Sequence, residues 1–152
     1  MELQNLILEP TSKTPQIDLN QLTGDLKFSG RSIPENAAKV YEPVFSWVGK
    51  YIQDARPTTN FIFNMEYYNT ASSLWIAKIL KLLINIPYPD YVLMLHLYLP
   101  LEDYEDIEEF GDLKDAFYPL TNVFNGSIPS IGIKLYGADD AGSIVRETLL
   151  YI

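Results

Sequence analysis

The chain contains no cysteine and only one histidine, His96. Without cysteine it can form no disulfide, thiolate zinc site, iron–sulfur cluster or cysteine nucleophile. Basic residues are also scarce, because 11 Lys and Arg stand against 20 Asp and Glu and leave a net charge of −9. Binding to a phosphate backbone needs clustered Lys and Arg. The composition therefore argues against a nucleic-acid partner.

Long uninterrupted apolar runs are missing as well. Lys78 and Lys81 interrupt the most hydrophobic stretch, and Pro87 ends it, so we expect no membrane insertion. The first residues lack the basic segment and apolar core of a signal peptide. We therefore expect a cytoplasmic protein. The hydrophobic fraction of 47% in 152 residues is typical of one globular domain with a substantial core.

Hydrophobic periodicity predicts strands that alternate with helices. The predicted strands cover residues 6–8, 16–19, 26–29, 60–68, 91–99 and 131–136, and the helical patterns cover residues 40–52, 75–86 and 106–117. The loop after residue 19 predicts an N-terminal hairpin. Strands separated by helices favour parallel pairing in the middle of the sheet. The predicted fold is a single α/β domain, with a mixed four- to five-stranded sheet and two or three helices.

The start of the first helix is predicted from a local motif. Ser32-Ile33-Pro34-Glu35 fits a capping box, in which Ser32 is the N-cap and Glu35 reaches back to it. Pro43 falls inside the helical pattern that follows. A proline removes one backbone donor, so we expect either a kink there or a helix that restarts at Pro43.

Catalytic and metal-binding patterns are not found. His96 has no paired nucleophile or second ligand at motif spacing, which favours a structural role. The acidic segment 102–115 lacks the alternating pattern of a calcium loop. Glycine-rich phosphate loops, nucleophile elbows and dinucleotide fingerprints are missing too. We therefore predict a protein that is not an enzyme, with no catalytic residue, cofactor or bound metal.

A hydroxyl-rich cluster lies between a predicted strand and the helix after it. It consists of Asn69, Thr70, Ala71, Ser72 and Ser73. One of these side chains could simply cap the helix. A helix N-terminus also tolerates an anion, because its backbone N–H groups and dipole favour negative charge. A phosphate on Thr70 is therefore compatible with the fold, and it would add nearly two negative charges at the surface.

Two motifs carry a family resemblance. They are Ser29-Gly30-Arg31-Ser32-Ile33-Pro34-Glu35-Asn36 and Tyr67-Tyr68-Asn69-Thr70-Ala71-Ser72-Ser73, with Thr14-Pro15, Thr23-Gly24, Tyr41-Glu42-Pro43 and Trp47 between and around them. Together they resemble the SiaC family of bacterial regulatory phosphoproteins over roughly residues 10–120. The chain departs from the family at Ala71, where a hydroxyl residue is usual, and near Leu74, where lysine is frequent.

The resemblance implies a function and a set of partners. The fold would be similar to STAS-type anti-sigma-factor antagonists, and the phosphoacceptor would be Thr70. Residues 69–73 would form the partner-binding site. The implied partners are a serine/threonine kinase of histidine-kinase-like fold, a PP2C-type phosphatase and a target such as a diguanylate cyclase, bound in the unphosphorylated state. Residues 1–125 would form the regulatory domain, and residues 126–152 an extension packed on it.

Two other functions stay open at this point. The first is a constitutive interaction or assembly domain of the same fold, in which Thr70 only caps a helix. The second is an enzyme or small-molecule binder with a pocket built from some of the 11 tyrosines.

Overall fold

A computed structural model describes residues 3–110 and 130–151, which form a seven-stranded sheet and three helices. The strands are β1 (Leu6–Leu8), β2 (Gln16–Asn20), β3 (Asp25–Ser32), β4 (Thr58–Tyr68), β5 (Val92–Pro100), β6 (Ser130–Ala138) and β7 (Ile144–Tyr151). The helices are α1 (Ala37–Tyr51), α2 (Thr70–Ile84) and α3 (Leu101–Phe110), and a short 3-10 turn covers Ile52–Asp54. No helix in the described ranges is long and apolar enough to cross a membrane.

The strands lie side by side in their order along the chain. The first three pair antiparallel, β3 to β6 pair parallel, and β7 returns antiparallel to β6. Each parallel step moves to the next strand in the same direction. Right-handed crossovers therefore place α1, α2 and α3 on one face of the sheet.

The core lies between that face and the helices. Rows of apolar residues run across the parallel strands in register, and one row joins Phe28, Phe63, Leu97 and Leu135, all buried. On the helices, buried residues follow the helical period predicted from the sequence. Most alternate residues of the strands face away from the helices and are half-buried, as His96 is, or exposed. The sheet is therefore covered by helices on one side.

The predicted hairpin and mixed sheet are confirmed, but the strand count of four to five is wrong. The described part of the chain contributes seven strands to the sheet. The unpredicted strand is β7, whose side chains are mostly exposed, so it carries little of the alternation that marks a half-buried strand. Both β6 and β7 lie in the sheet, and they follow residue 125.

The predicted capping box at Ser32 is also wrong. α1 begins at Ala37, and its N-cap is Asn36, whose side-chain oxygen accepts a hydrogen bond from the Lys39 N–H at 3.4 Å. Ser32 is the last residue of β3, because its pairing with Tyr68 of β4 continues the parallel ladder. The ladder therefore outweighs the local capping motif.

Two further helix predictions are adjusted by the structure. α1 runs unbroken from Ala37 to Tyr51 with Pro43 inside it, so the helix does not restart at the proline. α3 begins at Leu101, directly after β5, and ends its described part at Phe110. The remainder of the predicted helix, residues 111–117, lies outside the described residues.

Candidate functional site

The hydroxyl cluster lies at the carboxyl end of β4, where a single residue, Asn69, connects the strand to α2. Asn69 is the N-cap of α2, and its Oδ1 accepts a hydrogen bond from the Ser72 N–H at 2.9 Å. Its own N–H donates to the carbonyl of Ser32 at 2.8 Å, and its Nδ2 donates to the carbonyl of Pro34 at 3.4 Å. Asn69 thus ties α2 to the end of β3 and to the loop before α1.

Ser72 and Ser73 face the interior. Ser72 is fully buried, and its Oγ lies 2.8 Å from the Oγ of Ser32 and 3.2 Å from the Ser32 carbonyl. Ser73 is 3% exposed, and its Oγ donates to the carbonyl of Thr70 at 2.8 Å. Both hydroxyls are therefore engaged inside the fold.

Tyr41 of α1 completes the buried part of the cluster. Its hydroxyl lies 2.6 Å from the Ser32 Oγ, and burial raises the pKa of the Tyr41 phenol. One arrangement satisfies all three hydroxyls: Tyr41 donates to Ser32, Ser32 donates to Ser72, and Ser72 donates to the Ser32 carbonyl. This relay, formed by Ser32, Tyr41 and Ser72, joins β3, α1 and α2 beneath the cluster.

Thr70 and Ala71 lie at the surface. Thr70 is the first residue of α2, and its hydroxyl has no hydrogen-bond partner among the described residues. A helix leaves its first backbone N–H groups without intrahelical acceptors. Asn69 uses the N–H of Ser72, so the N–H groups of Thr70 and Ala71 stay available at the positive end of the helix dipole. The structure thus brings the five predicted residues together but exposes only Thr70 among their hydroxyls.

Sequence reasoning missed Ser32 and Tyr41 as members of this site. The local motif places Ser32 at a helix cap, whereas β3 and β4 end at the same edge of the sheet and bring Ser32 beside Asn69. The signal lay in the parallel pairing of the two predicted strands, since the ends of parallel strands meet at one edge.

His96 lies on the sheet face away from the helices, and both of its ring nitrogens are engaged. Nε2 contacts the Asn60 Oδ1 at 3.0 Å, and Nδ1 contacts the Tyr136 hydroxyl at 2.9 Å. Burial, and secondarily the positive charge of Lys134, lower the pKa of the imidazole. These contacts suit a structural residue. Within the described ranges no group of three or more His, Asp or Glu is placed to hold a metal ion.

Comparison with known proteins connects this site to a family. A family model described as "SiaC family regulatory phosphoprotein" matches residues 8–123. An uncharacterised protein of Pseudomonas aeruginosa strain UCBPP-PA14 is 30% identical over 81 residues, which are 53% of this chain. The match spans 64% of that relative, less than two thirds of its length.

Solved structures show the same fold. Apo-SiaC from Pseudomonas aeruginosa superposes with a TM-score of 0.64 at 25% identity, covering 86% of this chain and 98% of that one. A second structure is that of the diguanylate cyclase SiaD in complex with its activator SiaC, also from Pseudomonas aeruginosa. Its matching chain superposes with a TM-score of 0.65 at 22% identity, covering 86% of this chain and 99% of that one. The family model covers well over half of the sequence. The chain therefore belongs to the SiaC family of regulatory phosphoproteins.

Proposed function

We propose that this chain is a phospho-switched regulator that carries its phosphate on Thr70 and binds its target when Thr70 is unmodified. The observation that carries the proposal is the exposure of one hydroxyl in the cluster. Thr70 is exposed at the N-terminus of α2, whereas Ser72 and Ser73 are buried and hydrogen-bonded. A kinase needs access to the hydroxyl that it modifies, so this arrangement favours Thr70.

The capping geometry supports the same assignment. If Thr70 served only as a cap, its side-chain oxygen would accept a hydrogen bond from the first turn of α2. Asn69 takes that role, since its Oδ1 accepts the bond from the Ser72 N–H. The Thr70 hydroxyl is therefore not needed to start the helix, and its modification leaves the cap in place.

The position is also suited to a phosphate. Two first-turn N–H groups and the helix dipole stabilise negative charge beside Thr70. A phosphothreonine brings nearly two charges and three acceptor oxygens to the surface. The domain can thus stay folded while its charge at this edge changes.

The proposed target is an enzyme of the diguanylate cyclase type. Support comes from the solved complex in which a SiaC protein is bound to the diguanylate cyclase SiaD. The proposed modifying enzymes are a serine/threonine kinase of histidine-kinase-like fold and a PP2C-type phosphatase, as the family resemblance implies. We also propose that the fold is similar to that of STAS-type anti-sigma-factor antagonists, as the family resemblance implies. In this scheme the chain acts as an adaptor and performs no catalysis itself.

Intact-mass measurement of the protein from its own cells tests the switch. We expect a species heavier by one phosphate, which phosphatase treatment removes and tandem mass spectrometry maps to Thr70. Thr70→Ala should abolish it. Thr58→Ala is the matched control, because Thr58 is exposed at the other end of β4 and should leave the phosphate in place. Phosphate on Ser72 or Ser73 would contradict the residue assignment.

A binding assay separates the switch from a constitutive interaction domain. The purified diguanylate cyclases of the source organism are titrated with the unmodified, phosphorylated and Thr70→Ala proteins. A charge placed at an interface typically costs several kcal/mol, and each 1.4 kcal/mol is tenfold in affinity. We expect phosphorylation to weaken binding by about a hundredfold or more, and Thr70→Ala to keep the affinity of the unmodified protein. Equal affinity of all three forms would favour the constitutive domain.

A further inference from the structure

The outer face of α2 continues directly from Thr70. Thr70, Leu74, Lys78 and Lys81 are all exposed, and their spacing places them on one side of the helix. Leu74 is the nearest of them to Thr70, one turn further along, and its side chain is 53% exposed. We call these four residues the α2 face.

The charge of this face is opposite to that of the whole protein. The net charge is −9, yet α2 contains no Asp or Glu and carries Lys78 and Lys81. Among the described residues neither lysine forms an ion pair. The Lys78 ammonium lies 4.6 Å from the centre of the Trp75 ring, which leaves its charge at the surface.

A structural role explains only part of this pattern. Lys81 lies in the last turn of α2, where a cation stabilises the helix dipole. Lys78 lies a turn before that, and an exposed leucine beside Thr70 adds nothing to the dipole. An exposed apolar side chain next to two cations that form no ion pair is instead complementary to an acidic partner surface.

We propose that the α2 face is the docking surface for the target, and that the target presents an acidic segment with an apolar side chain that packs on Leu74. The inference rests on the proposed function, because it names the surface through which the regulated contact is made. Lys78 and Lys81 attract the acidic residues of the target, and Leu74 supplies the apolar contact.

This placement explains how a phosphate on Thr70 would act. Leu74 lies about 6 Å from Thr70 along the helix axis, and Lys78 about 12 Å, at a rise of about 1.5 Å per residue. The Debye length at physiological salt is about 8 Å, so a charge at Thr70 still acts over the first half of the face. Nearly two negative charges there repel an acidic segment of the target that packs on Leu74.

Two variants and two matched controls test the surface with a purified diguanylate cyclase that binds the unmodified chain. Lys78→Glu/Lys81→Glu reverses the charges of the face. Its control, Lys27→Glu/Arg31→Glu, makes the same change in net charge at exposed residues of β3. Leu74→Ser removes the apolar contact, and its control is Leu22→Ser, since Leu22 is 64% exposed in the hairpin loop. All four variants change exposed residues, and circular dichroism checks that each is folded.

Association and dissociation rates distinguish the two kinds of contact. Charge pairs at an interface act mainly on the association rate and lose their effect at high salt. We expect Lys78→Glu/Lys81→Glu to lower the association rate at least about tenfold at low salt, and much less at 1 M salt. We expect Leu74→Ser to raise the dissociation rate about tenfold or more. Both controls should stay within about twofold of the unmodified chain.

The outcomes separate the surface from the proposed function. If the unmodified chain binds a cyclase and phosphorylation releases it, but the α2 variants match their controls, the docking surface is wrong and the switch stands. If Lys27→Glu/Arg31→Glu lowers the association rate as much as Lys78→Glu/Lys81→Glu does, the effect comes from net charge alone. The proposed docking surface is then wrong as well. If no cyclase binds the unmodified chain, the proposed function fails, and the surface fails with it.

Discussion

Removal of the Ser32 hydroxyl tests the buried relay most directly. Ser32, Tyr41 and Ser72 are each fully buried, and the Ser32 Oγ lies 2.6 Å from the Tyr41 hydroxyl and 2.8 Å from the Ser72 Oγ. In Ser32→Ala the Tyr41 hydroxyl stays buried without its acceptor, and Ser72 loses one of its two contacts. A buried polar group left without a partner costs about 1–3 kcal/mol.

The expected magnitude depends on which partner is removed. Ser32→Ala should lower the free energy of unfolding by about 1–3 kcal/mol, since it strands the Tyr41 hydroxyl. Tyr41→Phe should cost only about 0.5–1.5 kcal/mol, because Ser32 keeps its contact with Ser72. In the double variant no stranded phenol remains, so the two costs should not add, and the coupling energy should be at least about 0.5 kcal/mol.

Urea unfolding of the single and double variants measures these energies. The midpoint should move without a change in slope, because the surface exposed on unfolding is the same. Ser29→Ala is the control on the same strand, since Ser29 is only half-buried and its side chain makes no hydrogen bond among the described residues. Its free energy of unfolding should stay within about 0.5 kcal/mol of that of the unmodified chain. Additive costs for Ser32→Ala and Tyr41→Phe would refute the relay. If Ser29→Ala lowers the free energy of unfolding as much as Ser32→Ala does, the cost does not come from burial of the Ser32 hydroxyl.

Three further perturbations follow from groups elsewhere in the fold. Tyr91→Phe should keep or raise the free energy of unfolding, because the buried Tyr91 hydroxyl has no hydrogen-bond partner within the part of the chain that the structure describes. Tyr51→Phe should lower the free energy of unfolding by about 1 kcal/mol, because the Tyr51 hydroxyl contacts Thr59 at 2.7 Å. Burial lowers the pKa of His96, so the unfolded chain binds the proton first, and stability should fall as the pH falls below about 6.5. His96→Gln should flatten that part of a stability–pH curve measured by urea unfolding. Gly24→Ala should cost about 1–3 kcal/mol, because the added Cβ would lie 2.6 Å from the Thr58 carbonyl oxygen, whereas Gly142→Ala meets open space and should cost less in thermal unfolding.

Elements with strong periodicity were predictable from the sequence. The hairpin of β2 and β3 and the strands β4 and β5 alternate or run apolar over most of their length, and a predicted strand falls within or beside each of them. The start of α2 was not predictable from its apolar pattern. Its first turn is polar, and it is stabilised by the Asn69 cap and by the contact of Ser72 with Ser32, 40 residues away in the chain. A local pattern does not contain such a contact.

The same reasoning explains the two larger misses. Ser32 fits a capping motif, but the parallel ladder with β4 decides its conformation, and that pairing depends on residues far along the chain. β7 is held by pairing with β6 and by Arg146, which donates two hydrogen bonds to Glu108 of α3 at 2.7 and 2.9 Å. Its own side chains are mostly exposed, so hydrophobic periodicity gives only a weak signal there.

In the proposed switch, the geometry around Thr70 favours a phosphate that acts through its charge and leaves the fold unchanged. Asn69 is fixed by hydrogen bonds to Ser72, Ser32 and Pro34, and Ser73 donates to the Thr70 carbonyl. To move the start of α2, a phosphate would have to break several of these bonds, each worth about 1 kcal/mol. The helix N-terminus instead stabilises an anion, by about 0.3–1 kcal/mol at an exposed site. Neither effect favours a rearrangement of the domain. The added charge therefore changes mainly the binding free energy of a partner that contacts Thr70.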